Sequence, residues 1–295
     1  MHVGILSFRP QDGKIAYEES RLVKAARELG YKGKVYRAYD CELYYNGGGP
    51  TILYKGKPFP KIDVMIPRVS VLNNVDLSAS VVKQLELMGV PVLNSYNSIL
   101  KAKNKLRTLQ IMSHYNLPIP KTVVIGKNED LKEAIKKVGG APVIIKSPFG
   151  SLGSGVMIVE SYRAAVSTVD FFGSKIVLIQ EYVKESKGKD TRVFVVGGKV
   201  VAAMERTAKK GEFRSNAALG GKGRIVSLDK EYEDLALKAS GIMGLDVAGV
   251  DILTTKNGPV ILEVNSNPGF EELEKATGID VAKAMVERAV GMPVI

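Results

Sequence analysis

Short apolar runs alternate with helical stripes through residues 1–93, and no other feature of the chain restricts its fold as much. "HVGILSF" reads as a buried strand. "EESRLVKAARELG" sets Leu22, Ala25, Ala26 and Leu29 at helical spacing and ends on Gly30, where a left-handed cap belongs. "GKVYRAY", "TILYKGK" and "DVMIPR" supply short strands around the turn-forming "YNGGGP". "SASVVKQLELMG" is helical, and "VPVLN" reads as one more strand. This order predicts a small, mostly parallel α/β domain over residues 1–93. It holds no dinucleotide fingerprint, because Gly4 stands alone with no G-x-G-x-x-G.

From Asn94 the character changes. "NSYNSILKAKNKLRTLQIMSHYN" reads as one long helical stretch, closed by the prolines of "LPIP". A strand, "KTVVI", and a helix, "NEDLKEAIKKVGG", with Asn128 as its N-cap, come next. "APVIIKSPFGSLGSGVMIVES" is then a strand, a glycine loop and a second strand, followed by the helix "YRAAVSTVDFFG". The remainder reads as the strand "IVLIQEYV", a polar connector and the strand pair "TRVFVVGGKVVAAMERT" with a Gly-Gly turn. A glycine-rich loop, "RSNAALGGKGR", a helix over 231–244, the hairpin "VAGVDILTTKNGPVILEVNSNPG" and the helix "DVAKAMVERAV" complete the chain.

Composition removes several kinds of chemistry. The 295 residues give room for roughly two domains of about 100–200 residues each. No apolar run approaches the roughly 18 residues of a membrane helix, and "MHVGILSFRP" lacks signal-peptide architecture, so the cytoplasm is expected. One cysteine, Cys41, allows neither an internal disulfide framework nor a cysteine zinc site. Two histidines, His2 and His114, build no metal cluster and argue against histidine-dependent nucleophiles; His114, near a helix end, reads as structural. The chemistry is left to carboxylates, amides, lysines, arginines and a bound metal. A net charge of +11 suits acidic partners. The lysines are scattered, with no basic block interleaved with aromatics, so nucleic acid is not required and a solvated lysine surface fits equally well.

The glycine loop, with Gly150, Gly153 and Gly155, is not a Walker A loop, since G-K-[ST] is missing and no helix follows. Its shape matches the flap that covers nucleotide phosphates in protein kinases, where glycines let successive N–H groups converge on an anion. A plain hairpin turn is the alternative. Lys146, ending the leading strand, favours the phosphate, yet H-R-D and D-F-G are absent and the chain is no protein kinase. In "EVN", Glu263 and Asn265 lie two apart, about 6–7 Å on one strand face, where their oxygens suit magnesium. Burying them without partners would be costly. Asp251 joins them only if the hairpin register places it opposite Glu263. That is expected from a three-residue "KNG" loop with Gly258 in the left-handed region, and not from an Asn257-Gly258 two-residue turn.

Lys105 in "KNKLR", Lys146, "QEYV", "DTRVFVV", "FRSN…GG", Asp251 and "EVNSNPG" follow in that order. The ordered set resembles the ATP-grasp ligase superfamily and, more narrowly, the RimK-type α-L-glutamate ligases. The similarity extends to "YKGK…P..D.MIPR" and "EKATGID". It implies an α/β (α+β) chain: a pre-ATP-grasp domain over 1–93, a central subdomain with the flap over 94–178, and a C-terminal subdomain with the metal site over 179–295. By the same resemblance Lys105 and Lys146 contact ATP phosphates beneath a flap of Gly150, Ser151, Gly153, Ser154 and Gly155. Glu181 and Tyr182 hold adenine, and Asp190 binds the ribose. Arg192 faces the reacting carboxylate and phosphate. Arg214, Ser215 and Asn216 reach the terminal phosphate and the acyl-phosphate, which makes Arg192, Arg214 and Asn216 the expected catalytic residues. Asp251, Glu263 and Asn265 carry two Mg²⁺ or Mn²⁺ ions.

The implied reaction passes a γ-phosphoryl group to a carboxylate, and an amine then displaces phosphate to leave an amide. Positioning and charge neutralisation suffice for it, with no histidine or cysteine nucleophile. The implied substrates are L-glutamate and the acidic C-terminal glutamate of a small-subunit ribosomal protein, with poly-α-glutamate as the repeated product and a homotetramer as the assembly. One departure concerns substrate choice: Leu219 stands where these ligases carry an arginine before the Gly-Gly, and Lys222 and Arg224 are the candidates to compensate. The alternatives are related ligases of an amino-group carrier protein or of a pterin or deazaflavin cofactor, a non-catalytic nucleotide-binding regulator, and a phosphotransferase that stops at phosphate transfer.

Overall fold

The computed structural model describes residues 1–9, 14–70, 75–126, 130–148, 155–173, 176–186, 188–209, 211–212, 214–215 and 221–293. The first elements are β1 (His2–Ser7), α1 (Tyr17–Glu28), β2 (Lys32–Arg37), β3 (Cys41–Tyr44), β4 (Thr51–Tyr54), β5 (Lys57–Pro58), β6 (Val64–Arg68), α2 (Val75–Ser78) and α3 (Ser80–Leu87). β2, β1 and β6 form the expected parallel sheet, in that order, while β3, β4 and β5 form a separate antiparallel one. All five residues of β6 are buried, as a parallel strand covered on both faces requires. Gly30 ends α1 with φ +80°.

"VPVLN" is not a full strand. Only Val92 bridges, in parallel, to Met65. Pro91 has no N–H to extend the ladder, and Asn94 turns its amide to the other half of the molecule instead. Its Nδ2 donates to Val247 O at 2.7 Å and Ser266 O at 2.9 Å, and its Oδ1 accepts from Val247 N at 2.8 Å.

The expected long helix is two helices, α4 (Tyr96–Lys103) and α5 (Lys105–His114). Asn104 breaks the run with φ −113° and ψ 107°, and its Oδ1 accepts from the N–H groups of Leu106 and Arg107 at 3.0 and 3.2 Å. An asparagine inside a helical pattern thus became an N-cap, because its side chain replaces the first-turn partners that the backbone lacks. Then follow β7 (Thr122–Ile125), α6 (Leu131–Lys137), β8 (Val143–Lys146), β9 (Val156–Val159), α7 (Tyr162–Phe172) and β10 (Val177–Glu181), whose strands form a sheet in the order β7-β10-β8-β9. Asn128 lies outside the described residues.

The last elements are β11 (Lys189–Val196), β12 (Lys199–Thr207), β13 (Lys222–Ile225), α8 (Lys230–Met243), β14 (Val247–Thr255), β15 (Gly258–Asn265), α9 (Glu271–Thr277) and α10 (Val281–Val290). The five strands make one antiparallel sheet, β13-β12-β11-β14-β15. β13 was expected as loop. Its Gly223 pairs with Arg206, and a Cβ there would meet Met204 Sδ at 2.8 Å, so this glycine serves close strand packing. One face of the sheet packs Val193, Val250, Ile252 and Val264 against Ala236 and Met243 of α8. On the other face Phe194, Met204 and Phe270 share a core with Ile5, Leu22 and Ile66, so the first and last thirds of the chain bury apolar surface together.

Asn104 sets where α5 begins, and therefore where Lys105 stands. Asn104→Ala is expected to cost about 1 kcal/mol of stability in urea unfolding, and Asn104→Asp to recover most of it.

Candidate active site

Strand alternation gathers the charged groups. On the face of the five-stranded sheet away from α8, Asp190 opposes Arg206, and Arg192 opposes Asp251, which in turn opposes Glu263. Asn265 follows two residues after Glu263, opposite Gly249. Asp251, Glu263 and Asn265 therefore share one face, as the sequence required.

The cause differs from the expected one. Thr255 pairs with Gly258 across a two-residue turn, Lys256-Asn257, not a three-residue loop. The register instead shifts between Asp251 and Ile252, leaving Leu262 as an extra residue. That bulge lets Ile261 and Val264, three apart, both bury against the α8 core while Glu263 turns to the site. Gly249 meets a second demand. A Cβ there would sit 2.7 Å from Pro268 Cβ and 3.3 Å from Arg192 Cδ, so only glycine lets Arg192 lie across the strand toward Asp251.

Two aspartates and two arginines form a closed set. Arg192 forks onto Asp251 through Nε to Oδ1 and Nη2 to Oδ2, the latter at 2.7 Å. Arg206 forks onto Asp190 at 2.7 and 2.6 Å, and its Nη2 also reaches Asp251 Oδ2 at 2.9 Å. Ser215 Oγ donates to Asp190 Oδ2 at 2.6 Å. All four charged side chains are buried, Asp251 to 2% exposure. Burial opposes ionisation of Asp251, but Arg192 and Arg206 outweigh it and hold the carboxyl below its usual range. At Asp190 burial wins over Arg206, and the charge of Asp251 adds to it, so that carboxyl is raised. Arg206 is a residue the sequence reading missed. The signal available was a charged residue at an inward position of an otherwise apolar strand, "VVAAMERT".

Lys105 and Lys146 line a cavity together with Glu263. Lys146 Nζ donates to Gln180 Oε1 at 2.6 Å, and Gln180 Nε2 donates to Thr122 Oγ1 at 2.9 Å. Burial pushes Lys146 down to about 8, with Glu263 opposing and Lys105 assisting. The two strands expected to flank the glycine loop do pair: Lys146 lies opposite Val156, and Ser147 N donates to Gly155 O at 2.9 Å. Gly150, Ser151, Gly153, Ser154, Asn216 and Leu219 lie outside the described residues. Glu181 and Tyr182 line the far end of the cavity at the connector between the two sheets, beside Ile144, Leu178 and Ile261. Arg214 also lines it, forked onto Glu212 at 3.0 and 2.8 Å.

Could the acidic face hold a metal? Among the described residues no group of three or more His, Cys, Asp or Glu is gathered. The set here is two carboxylates and an amide, with Asn265 Nδ2 3.4 Å from Asp251 Oδ2. Hard oxygen donors on adjacent strands suit Mg²⁺, which keeps several waters and needs only one or two protein carboxylates. The residues fit, with Asp251 sharing its oxygens with arginine. Cys41 lies elsewhere, and burial pushes its thiol up to about 12. Among the described residues no helix is long and apolar enough to cross a membrane.

Known proteins resemble this chain along most of its length. The profile of the RimK-like ATP-grasp domain matches residues 102–289, and that of the RimK PreATP-grasp domain matches residues 1–99. A "Probable alpha-L-glutamate ligase" of Marinomonas sp. (strain MWYL1) is 42% identical over 289 residues, 97% of this chain and 94% of that one. A protein of the same name from Methanococcoides burtonii is 42% identical over 273 residues, 92% and 90% of the two chains. The crystal structure of a RimK domain ATP-grasp protein from Sphaerobacter thermophilus superposes with TM-score 0.74 at 20% identity, covering 99% of this chain and 100% of that one. The ATP-grasp ligase PsnB, complexed with minimal precursor, Mg and ADP, gives 0.72 at 18% identity over 97% and 98%. At those identities the two structures speak for the fold.

Removing Arg206 leaves two buried carboxylates with one cation. Arg206→Met is expected to cost about 3–5 kcal/mol in urea unfolding, and adding Asp190→Asn to restore part of it. Lys146 gives a pH signature. Its folded pKa lies below the ordinary 10.5, so between about 8 and 10.5 the unfolded chain binds more protons and stability rises with pH. Unfolding measured across that window should show a shallower rise in Lys146→Met, with Lys103, also pushed down to about 8 by burial, supplying the remainder. An unchanged slope would mean that Lys146 is solvated.

Proposed function

The chain belongs to the RimK-like ATP-grasp family and is an ATP-dependent ligase, and from that premise we propose that it joins L-glutamate to an acidic acceptor through an acyl-phosphate. One observation carries the reading: Lys105 and Lys146 line the same cavity as Asp251 and Glu263. Phosphates belong in such a cavity, with cations for their oxygens and metal ligands beside them.

Adenine would lie in the apolar slot beside Glu181 and Tyr182, where the connector's backbone is at hand. Among the described residues Asp190 Oδ1 accepts only from Arg206, which leaves a lone pair for a ribose hydroxyl. Asp251, Glu263 and Asn265 would hold Mg²⁺ or Mn²⁺, which neutralises phosphate charge. Arg192 has a backup in Arg206, because both contact Asp251. It can thus release one bond and turn toward the reacting carboxylate without leaving Asp251 uncompensated. Arg214, Ser215 and Asn216 would reach the terminal phosphate, Arg214 and Ser215 lining the cavity. The glycine loop, Gly150 to Gly155, would close over the nucleotide and keep water from the acyl-phosphate. In this reading ATP sits between subdomains 94–178 and 179–295, with residues 1–93 packed on the second.

The acceptor we favour is the C-terminal glutamate of a small-subunit ribosomal protein, extended once or repeatedly in the cytoplasm by a homotetramer. The net charge of +11 suits an acidic chain end and a product that grows more anionic. ADP released only when glutamate and an acceptor are both present, with a matching mass gain on the acceptor, is the expected result. ADP without glutamate, together with a stable phosphorylated product, would point to a phosphotransferase; no turnover would point to a regulator.

Glu263→Gln removes one metal charge at nearly constant volume. It is expected to lose essentially all ADP release while its thermal midpoint stays within a few degrees of the unaltered protein. Near-normal turnover would remove Glu263 from the mechanism.

A further inference from the structure

Arg68 is a buried cation with no ion pair among the described residues. It ends β6 at 7% exposure, donates from Nη2 to Pro268 O at 3.0 Å, and lies 5.6 Å from the centre of the Phe270 ring. Among the described residues no carboxylate comes within ion-pair distance of it. Glu18 and Glu19 of α1 attract it from further away, while Arg9 repels it. The Glu19 carboxylate is already engaged by the N–H of Ala16 at 3.1 Å. A guanidinium that gives up water for a carbonyl and a ring face is left under-compensated, and burial pulls its pKa below the ordinary value.

A second cation stands nearby. Lys103, at the end of α4, makes no ion pair among the described residues; burial and, less strongly, Arg68 and Lys105 disfavour its charge, while Glu263 favours it from beyond ion-pair distance. Polar atoms at the same junction also lack partners. Asn267 donates from Nδ2 to Val69 O at 3.1 Å, but its Oδ1 is buried with no hydrogen bond, and so is Ser266 Oγ. The junction is continuous with the site already described: Pro268, whose carbonyl Arg68 holds, packs over Gly249 beside Arg192. Two neighbouring cations with no ion pair among the described residues, next to an unpartnered acceptor, are complementary to a group bearing both a carboxylate and an N–H.

We propose that Arg68, assisted by Lys103, binds a substrate carboxylate that is not itself phosphorylated. The inference rests on the ligase reading. The same chemistry could come from the free amino acid or from the acceptor's chain end, and kinetics separates the two. In Arg68→Gln the KM for one of these substrates should rise at least about tenfold, more than kcat changes, while the KM for ATP holds. The substrate affected is the one bound. Its preference over the analogue with that carboxylate converted to an amide should fall toward unity. Lys103→Gln should raise the same KM by a smaller factor.

Thermal melting distinguishes this role from a brace for Pro268. A charge waiting for an anion predicts that Arg68→Gln melts no lower than the unaltered protein. Unchanged KM values for glutamate and acceptor, with or without a fall in melting temperature, would overturn the proposal. If the unaltered protein releases no ADP with glutamate and acceptor, the ligase reading fails on its own. Calorimetry with glutarate then decides the subsite: binding that Arg68→Gln abolishes retains it, and no binding, or binding equal in both proteins, ends it.

Discussion

The fork of Arg192 onto Asp251, doubled by Arg206, is the constraint on which the rest of the site depends. Four buried charges sum to zero, so the sheet can carry them where it would otherwise need apolar side chains. Each carboxylate is held at both oxygens, which fixes its rotamer and with it the strand face. Glu263 and Asn265 have a defined position relative to Asp251 only because Asp251 cannot swing away. Replacing the set with leucines would give an ordinary core. Keeping it costs specificity of sequence at four positions and yields an acidic face that is rigid before any ligand arrives.

That rigidity has to coexist with two apolar cores, one on each side of the same sheet. The Leu262 bulge is how β15 meets both requirements, giving Val264 and Ile261 to one face and Glu263 and Asn265 to the other. Asn94 plays the matching part at the junction with the first sheet, tying Val247 and Ser266 to the chain entering α4. α4 and α5 then deliver Lys103 and Lys105 to the cavity side. Positions of cations and carboxylates are thus set from opposite ends of the molecule and meet at one hydrogen-bonded seam.

Much of this was legible in the residues. Lys146 ahead of a glycine loop, the E-V-N alternation and the ordered motif set identified the family and the walls of the cavity, because each depends on local periodicity. What the sequence did not disclose depends on competition between distant groups. Asn104 could be read as a helix interior or a cap, and only the placement of Lys105 decides. The hairpin turn was expected at three residues, yet two with a bulge satisfy the same register; the bulge answers to packing against α8, which no short window contains. Arg206 was missed, and Arg68 was quoted only as the end of a motif with no role given, for a related reason. A single arginine in an apolar strand states that something anionic is near, but not whether it is a neighbour in the chain or a ligand.

Those two arginines divide along that line. Arg206 finds its anions within the protein, and its pKa is raised accordingly: the charges of Asp251 and Asp190 outweigh the burial that opposes them. Arg68, Lys103 and Lys146 find none that equals the burial they suffer, and all three are pushed down. A fold selected for stability alone would not keep such cations together, since Arg68 and Lys105 disfavour the charge of Lys103, and Lys105 that of Lys146. An incoming anion reverses the sign of that arrangement, because every unpaired cation it meets was already desolvated and positioned. The charge-matched tetrad of Asp190, Arg192, Arg206 and Asp251 keeps the sheet folded beside these desolvated cations.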